Sequence, residues 1–253
     1  MTLQKRKWYK NPLVLDWLDV LAILAWGILL LNYWLTGKLT LLLHPRFFGL
    51  NVLAGVILLL IGGLEAWKLL RERRPPPVRH LTLFPPGWMS GIFLATACLG
   101  LLVAPRPLMG QAAMQQGISD PLTLTRGQPQ AFRPSTRPET RSLIDWVRTL
   151  NVYPEPDTYT GQKAKVQGFA VHPPEIPDNY LTITRFTIIH CALDAYPVGL
   201  PVKLAQSRTA YPPDTWFEVD GRMITEMLNN KRQLVIQAKA LQPIPAPKNP
   251  YAY

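Results

Sequence analysis

The sequence predicts a membrane-embedded α-helical anchor of three transmembrane helices, followed by a small, mainly β, exported domain. Three observations predict it. Charge is sparse but unevenly spread: 17% of residues are charged against 48% hydrophobic, and three stretches near the N-terminus carry no charge at all. The basic residues cluster on alternate flanks of those stretches. Beyond residue 140 the pattern changes to short runs rich in Val, Ile, Thr, Phe and Tyr, separated by Pro, Gly and Asp-Asn.

The charge-free stretches are Val20–Gly37, Phe47–Leu64 and Leu81–Pro105, the last helical only after Pro85-Pro86. A membrane helix needs roughly 17–25 mostly apolar residues. The expected spans are therefore about 18–36, 47–67 and 87–104, within a transmembrane region 1–104. Trp26, Tyr33, Trp34, Trp67, Phe84 and Trp88 include aromatics at the depths that interfacial belts favour. The basic leader of the first span (Lys5, Arg6, Lys7, Lys10) is followed by Asp16 and Asp19, and no small-residue cleavage site follows Leu35, so the span reads as retained.

Orientation follows from Lys and Arg. The leader has four, the first loop Lys38 and Arg46, the second Lys68, Arg71, Arg73, Arg74 and Arg79, and the flank after the third span only Arg106. That alternation puts the N-terminus in the cytoplasm and the C-terminal domain outside it, across a plasma membrane or, in a photosynthetic cell, a thylakoid. Of the net charge of +11, residues 1–104 carry +7 and the remainder +4. The excess is thus a topology signal, and a nucleic-acid partner loses its support; the lipid bilayer is the expected partner. Asp16 and Asp19 share one face of the first helix, where they read as acids favoured by its N-terminal dipole.

Residues 105–139 are rich in Pro, Gln, Gly and Ser and read as a linker. Helical spacing at Leu143, Ile144, Trp146, Val147 and Leu150 predicts a helix over Thr140–Leu150. Strands are expected at Lys163–Val171, Tyr180–Cys191, Leu200–Ala205, Thr215–Met223 and Gln233–Leu241, with a short helix at Ile224–Asn230. Five short strands in residues 140–253 suggest an OB-like five-stranded barrel.

Cys98 falls inside the third span and Cys191 in the exported domain, so a disulfide between them is not expected. The segment Ile183–Val202 holds the residues closest to chemistry. His190, Cys191 and Asp194 are ligand types for a zinc-like ion, and His172 could join from a neighbouring strand. Within a regular strand His190 and Cys191 would face opposite sides, so a bulge or strand end is required. The bland alternative makes Cys191 a packed small hydrophobe and Asp194 a turn cap. Arg185 lies in an otherwise apolar strand; facing inward it would need a carboxylate, with Asp194, Glu218 and Asp220 as candidates. There is no Gly-rich phosphate loop, CxxC, HExxH or GxSxG, so no catalytic role is expected.

Several motifs in this region form one pattern: Gly168-Phe169, Arg185-Phe186-x-Ile188, His190-Cys191-Ala192-x-Asp194-Ala195, Pro197-Val-Gly-Leu-Pro-Val202 and Pro247-Lys-Asn-Pro-Tyr251. On these residues the chain resembles the YcgQ-like family of bacterial membrane proteins, a domain of unknown function assigned to subunits of a two-component permease. The resemblance covers most of residues 140–253. It implies a polytopic permease protein of a second family as partner and an accessory role in transport, with gating, substrate delivery or partner contact as the domain's part. Members of the family carry a Cys-Cys pair followed by Ala-Ala-Asp-Ala. The His190-Cys191 pair and Leu193 depart from that pattern, which argues against a thiol-pair function and leaves a zinc ligand role open. The alternative function is a membrane-anchored metal-binding protein of the envelope.

Overall fold

The computed structural model describes residues 12–71, 85, 87–118 and 137–253. They form two compact units that divide between Arg106 and Pro107. The basic leader, Arg73, Arg74, Arg79 and Phe84, and residues 119–136 of the expected linker lie outside the described residues.

The first unit is helical: α1 (Pro12–Leu35), α2 (Phe48–Arg71) and α3 (Trp88–Leu102). Among the described residues two helices, α1 and α2, are long and apolar enough to cross a membrane, whereas α3 is a shorter apolar helix of 15 residues. The first starts several residues before the apolar stretch that announced it, because its early acids are tolerated inside the helix. α1 packs against both α2 and α3. Contact with α2 is close: a Cβ on Gly27 would lie 2.8 Å from Leu59 Cδ2, and one on Gly62 2.7 Å from Leu24 Cδ2. Contact with α3 adds polar bonds. Trp26 Nε1 donates to the Phe93 carbonyl at 2.9 Å and Tyr33 Oη to that of Gly100 at 2.6 Å, while the Ser90 hydroxyl bonds Asp19. Asp16 and Asp19 therefore do not stabilise a helix start. No acid occupies the first turn of α1, and Asp19 serves as an acceptor between helices.

The second unit contains α4 (Gly110–Gln116), α5 (Leu143–Val152) and six strands: β1 (Lys163–Val171), β2 (Tyr180–Thr187), β3 (Tyr196–Lys203), β4 (Trp216–Leu228), β5 (Lys231–Pro243) and β6 (Tyr251–Ala252). The sheet thus has six strands where five were expected. Its order is β1-β4-β5-β3-β2-β6, and β1 also pairs with β2, so the first five strands form a closed circuit of pairings. The β3–β5 pair is parallel and short, joining Val202 to Ile236 and Lys203 to Gln237.

Four local features depart from the sequence expectation. The expected helix Ile224–Asn230 is the end of β4, which turns into β5 through Asn229 and Asn230, both at positive φ (51° and 58°). This Asn-Asn loop is a tight hairpin connection, and the ladder from Phe217–Pro243 to Leu228–Lys231 overrides the helical spacing of Ile224 and Met227. β3 begins at Tyr196 rather than Leu200, running through Pro197 and Pro201. β2 stops at Thr187, four residues before Cys191. Finally, the expected linker holds α4, whose Ala113 is fully buried.

Alternation along the strands gives the sheet two apolar faces. One buries Val166, Ile183, Val198, Leu200, Val219 and Ile236 against Trp146, Val147 and Leu150 of α5. That helix begins with a capping box, Ser142 accepting from the Asp145 N–H while the Asp145 carboxylate accepts from the Ser142 N–H. The other face carries Phe169 stacked on Phe186 at 6.0 Å and edge-on to Trp216 at 5.8 Å, all buried. At Gly168, between these faces, a Cβ would fall 2.6 Å from the Thr184 carbonyl oxygen, so the close β1–β2 approach requires glycine.

Candidate functional site

The residues His190, Cys191 and Asp194 occupy a turn between β2 and β3, not a strand, so the facing problem does not arise. Asp194 organises the turn. Its carboxylate accepts the backbone N–H groups of Ile189 (3.0 Å), His190 (2.9 Å) and Cys191 (3.3 Å), and the His190 ring bonds it through Nδ1 at 3.0 Å. Partial burial alone would raise the Asp194 pKa, but the hydrogen bonds from His190, Ile189 and Cys191 outweigh it and hold the carboxyl below the usual Asp range. Cys191 caps the short helical turn Ala192–Asp194. Leu193 at its tip is 97% exposed, with Ile189 beside it 45% exposed.

The structure brings His190 and Asp194 together, but the Asp194 oxygens are already engaged by donors of their own turn. His172 lies in a different environment, near Tyr211, Arg208 and Asp178, where burial pushes its pKa below the ordinary histidine value. Among the described residues no group of three or more His, Cys, Asp or Glu side chains is arranged to hold a metal ion.

Arg185 is directed inward, and none of the expected carboxylates meets it. Its Nη2 donates to the carbonyl of Asn249 at 2.9 Å and its Nε to that of Pro250 at 3.2 Å, with Tyr251 O at 3.4 Å. The guanidinium also sits 5.6 Å from the Trp216 ring centroid. The partner is thus the backbone of the segment ending in β6, whose Tyr251 and Ala252 lie parallel to Phe186 and Thr187. Carbonyl oxygens leave no sequence signal, which is why side-chain chemistry alone pointed to acids.

A third feature was not visible in sequence. Where β3 and β5 diverge from their short parallel pair, a cavity of about 570 Å³ opens between them. Its floor includes Leu150, Leu200 and Leu234; Pro173, Pro174 and Ile176 of the β1–β2 connection and Asn229, Lys231, Arg232 and Gln233 at the β4–β5 turn form its walls. Arg232 is held by Asp157 at 2.6 Å.

Residues 140–253 match the family model described as the DUF1980 C-terminal domain. UPF0703 protein YcgQ of Bacillus subtilis (strain 168) is 27% identical over 104 residues, which cover 40% of this chain and 36% of that protein. The YcgQ-like resemblance holds. The match spans little more than a third of the relative's length. In this YcgQ-like region the motif residues act as joints of the sheet. Arg185 and the Pro247–Tyr251 ending form one clamp, Gly168 admits the Thr184 carbonyl, Pro197–Val202 belongs to β3, and Asp194 ties the turn that carries His190 and Cys191.

Proposed function

We propose that the chain is an accessory integral-membrane subunit of a permease complex, with a non-catalytic exported domain that acts in gating, substrate delivery or partner contact. In this reading α3 is a third span, the N-terminus is cytoplasmic, and the closed circuit of pairings is an OB-like five-stranded barrel extended by β6. The order of its pairings and the parallel β3–β5 pair support the OB-like reading.

The observation that carries the proposal is the apolar surface of the helical unit. Only 22% of the apolar window of α1 and 11% of that of α2 is buried by the rest of the chain. Side chains such as Leu21, Ile28, Leu53 and Leu60 remain about half exposed, and a surface of that kind requires lipid or other helices around it. Among the described residues the polar groups of the helices, the kind that mark transport pathways, bond between helices: Tyr33 and Asp19 between α1 and α3, and Asn51 of α2 to the Leu30 carbonyl of α1. That favours a subunit beside a pathway over one that forms it. Purification of the full chain in mild detergent is expected to bring down a polytopic membrane protein in fixed stoichiometry. Recovery as a solitary monomer across detergents would remove the proposal.

A further inference from the structure

We infer that the cavity between β3 and β5 is a binding site for a neutral amphiphile, an apolar body ending in a hydroxyl group. The inference concerns the second unit alone and goes beyond the permease reading.

Size and burial come first. At about 570 Å³ the cavity falls within the ~300–1,000 Å³ of small-molecule sites. Its lining divides by depth. The buried part is Leu150, Thr182, Gly199, Leu200 and Leu234, and the three leucines belong to the core between the sheet and α5. That inner surface is therefore fixed by packing that does not need a ligand. The charged lining residues, Glu175, Lys231 and Arg232, are all exposed and stand on the β1–β2 connection and at the β4–β5 turn. An ionised group carried to the inner surface would lose its water and meet no countercharge there. The end of a ligand that enters deepest is accordingly uncharged.

Two polar groups in the buried lining select that end. The first is Thr182, 7% exposed, whose hydroxyl makes no hydrogen bond among the described residues. The second is the peptide edge of Gly199. Pro197 and Pro201 lie opposite Phe186 and Thr182 in the β2–β3 ladder, and Gly199 lies opposite Thr184. Proline has no N–H, so its rungs are of the kind that exchanges no hydrogen bonds across the ladder. Gly199 shares their parity, and its N–H and C=O point away from β2. On that side β5 pairs only with Val202 and Lys203, so at Gly199 both groups face the cavity. A side chain has no room here: a Cβ would lie 2.7 Å from Thr182 Cγ2 and 2.9 Å from the Ile183 carbonyl oxygen. Glycine leaves the edge bare.

The head group follows from this set. Gly199 offers one donor and one acceptor, and the Thr182 hydroxyl serves as either. A ligand hydroxyl donates to the Gly199 carbonyl and accepts from the Gly199 N–H or from Thr182. A carboxylate or an ester only accepts, and would leave the Gly199 carbonyl without a partner in a buried place. An ammonium only donates, and would strand the N–H instead. With the hydroxyl at Gly199, the apolar body covers Leu150, Leu200 and Leu234.

The test uses the full chain in phosphatidylcholine nanodiscs, with hydrogen exchange read at the Gly199 amide. The probe is 4-phenyl-1-butanol. Pentylbenzene, with a methyl in place of the hydroxyl, and 4-phenylbutyrate, with a carboxylate, are the controls. Saturable protection by the alcohol is expected, with both controls binding about tenfold more weakly or worse. Thr182→Val removes the hydroxyl at constant shape and should weaken the alcohol about three- to tenfold without changing pentylbenzene. T182S keeps the hydroxyl and should bind the alcohol like the wild type. Exchange at Val166 in β1 reports whether each variant folds, and the comparison of probes on the wild-type chain needs no variant. Nanodiscs doped with dioleoylglycerol, a neutral lipid with the same head group, give the second arm. Protection there without added probe identifies a membrane lipid as the source; protection by the soluble alcohol alone identifies a soluble one. Failure of both alcohols to protect Gly199, protection by either control equal to that by 4-phenyl-1-butanol, or a folded T182V chain that binds the alcohol like the wild type overturns the inference.

Discussion

Replacing Arg185 with methionine should release the C-terminal strand while leaving the rest of the sheet folded. Two hydrogen bonds from its guanidinium, to Asn249 O at 2.9 Å and Pro250 O at 3.2 Å, are short enough to count; the 3.4 Å approach to Tyr251 O is not. Bonds to a charged donor contribute about 1.5–3 kcal/mol each. Against them stands the cost of burying the guanidinium, the main reason its pKa lies below the ordinary arginine value. The balance is about 2–3 kcal/mol. At 1.4 kcal/mol per factor of ten, that is a roughly 10²-fold change in the opening equilibrium. The reporter is the Ile188 amide, which donates to Ala252 O at 3.2 Å. Its hydrogen exchange in the full chain should accelerate ~10²-fold in R185M, with Val166 in β1 within about twofold of the wild type. Lysine at 185 should recover only part of the protection, because a single ammonium cannot span two carbonyls as the forked guanidinium does. Unchanged exchange at Ile188, or equal acceleration at Ile188 and Val166, would refute the clamp.

Further outcomes follow from the same contacts. Asp194→Ala should destabilise the sheet domain by about 1–2 kcal/mol, since three backbone N–H groups lose their acceptor. Because the folded Asp194 pKa is depressed, its contribution is complete above the ordinary carboxylate value and is lost as pH falls through the lower folded one. Thermal unfolding of D194N should therefore lack that part of the acid sensitivity. His172 is also depressed, by burial, so the stability tied to its neutral ring is complete above about pH 6.5 and declines as pH falls through the folded value; H172Q should flatten unfolding profiles there. Gly221→Ala should cost about 2–3 kcal/mol, because a Cβ would lie 2.3 Å from the Gln237 carbonyl oxygen at the β4–β5 irregularity; chemical denaturation would register it. With Asp194 engaged by its own turn, H190A and C191S should leave the zinc content of the purified chain unchanged. Loss of one stoichiometric zinc in either variant would restore the metal reading.

What the sequence disclosed and what it hid divide along physical lines. Apolar runs longer than a membrane is thick survive any local context, so α1 and α2 were legible, and runs of β-branched and aromatic residues between turn formers located β1 and most of β4 and β5. Ile224–Asn230 misled because Ile and Met at helical spacing also suit the end of a long strand; the Asn-Asn pair was the better signal, given its positive-φ turn. In β3 the prolines concealed a strand that tolerates them only because its second edge is largely unpaired. β6 has two residues and no pattern of its own, and exists through Arg185 and its pairing with β2. At the candidate site residue types alone left a ligand set and a turn cap side by side; the Asp194 oxygens are spent on the backbone amides of Ile189, His190 and Cys191. The cavity arises from two strands diverging, which no spacing of residues encodes.

The circuit of strands also bears on how such a domain is made. β1 has only a short ladder with β2, from Phe169–Thr184 to Val171–Thr182, and depends for most of its partners on β4, which follows some fifty residues later. β2 in turn awaits Tyr251 and Ala252. Pairings so distant along the chain cannot form during early synthesis, and non-local sheets fold slowly. In a nascent chain residues 163–243 would thus lack part of their sheet pairing until Tyr251 and Ala252 are made. Locking would come only when the Arg185 clamp closes on Asn249 and Pro250.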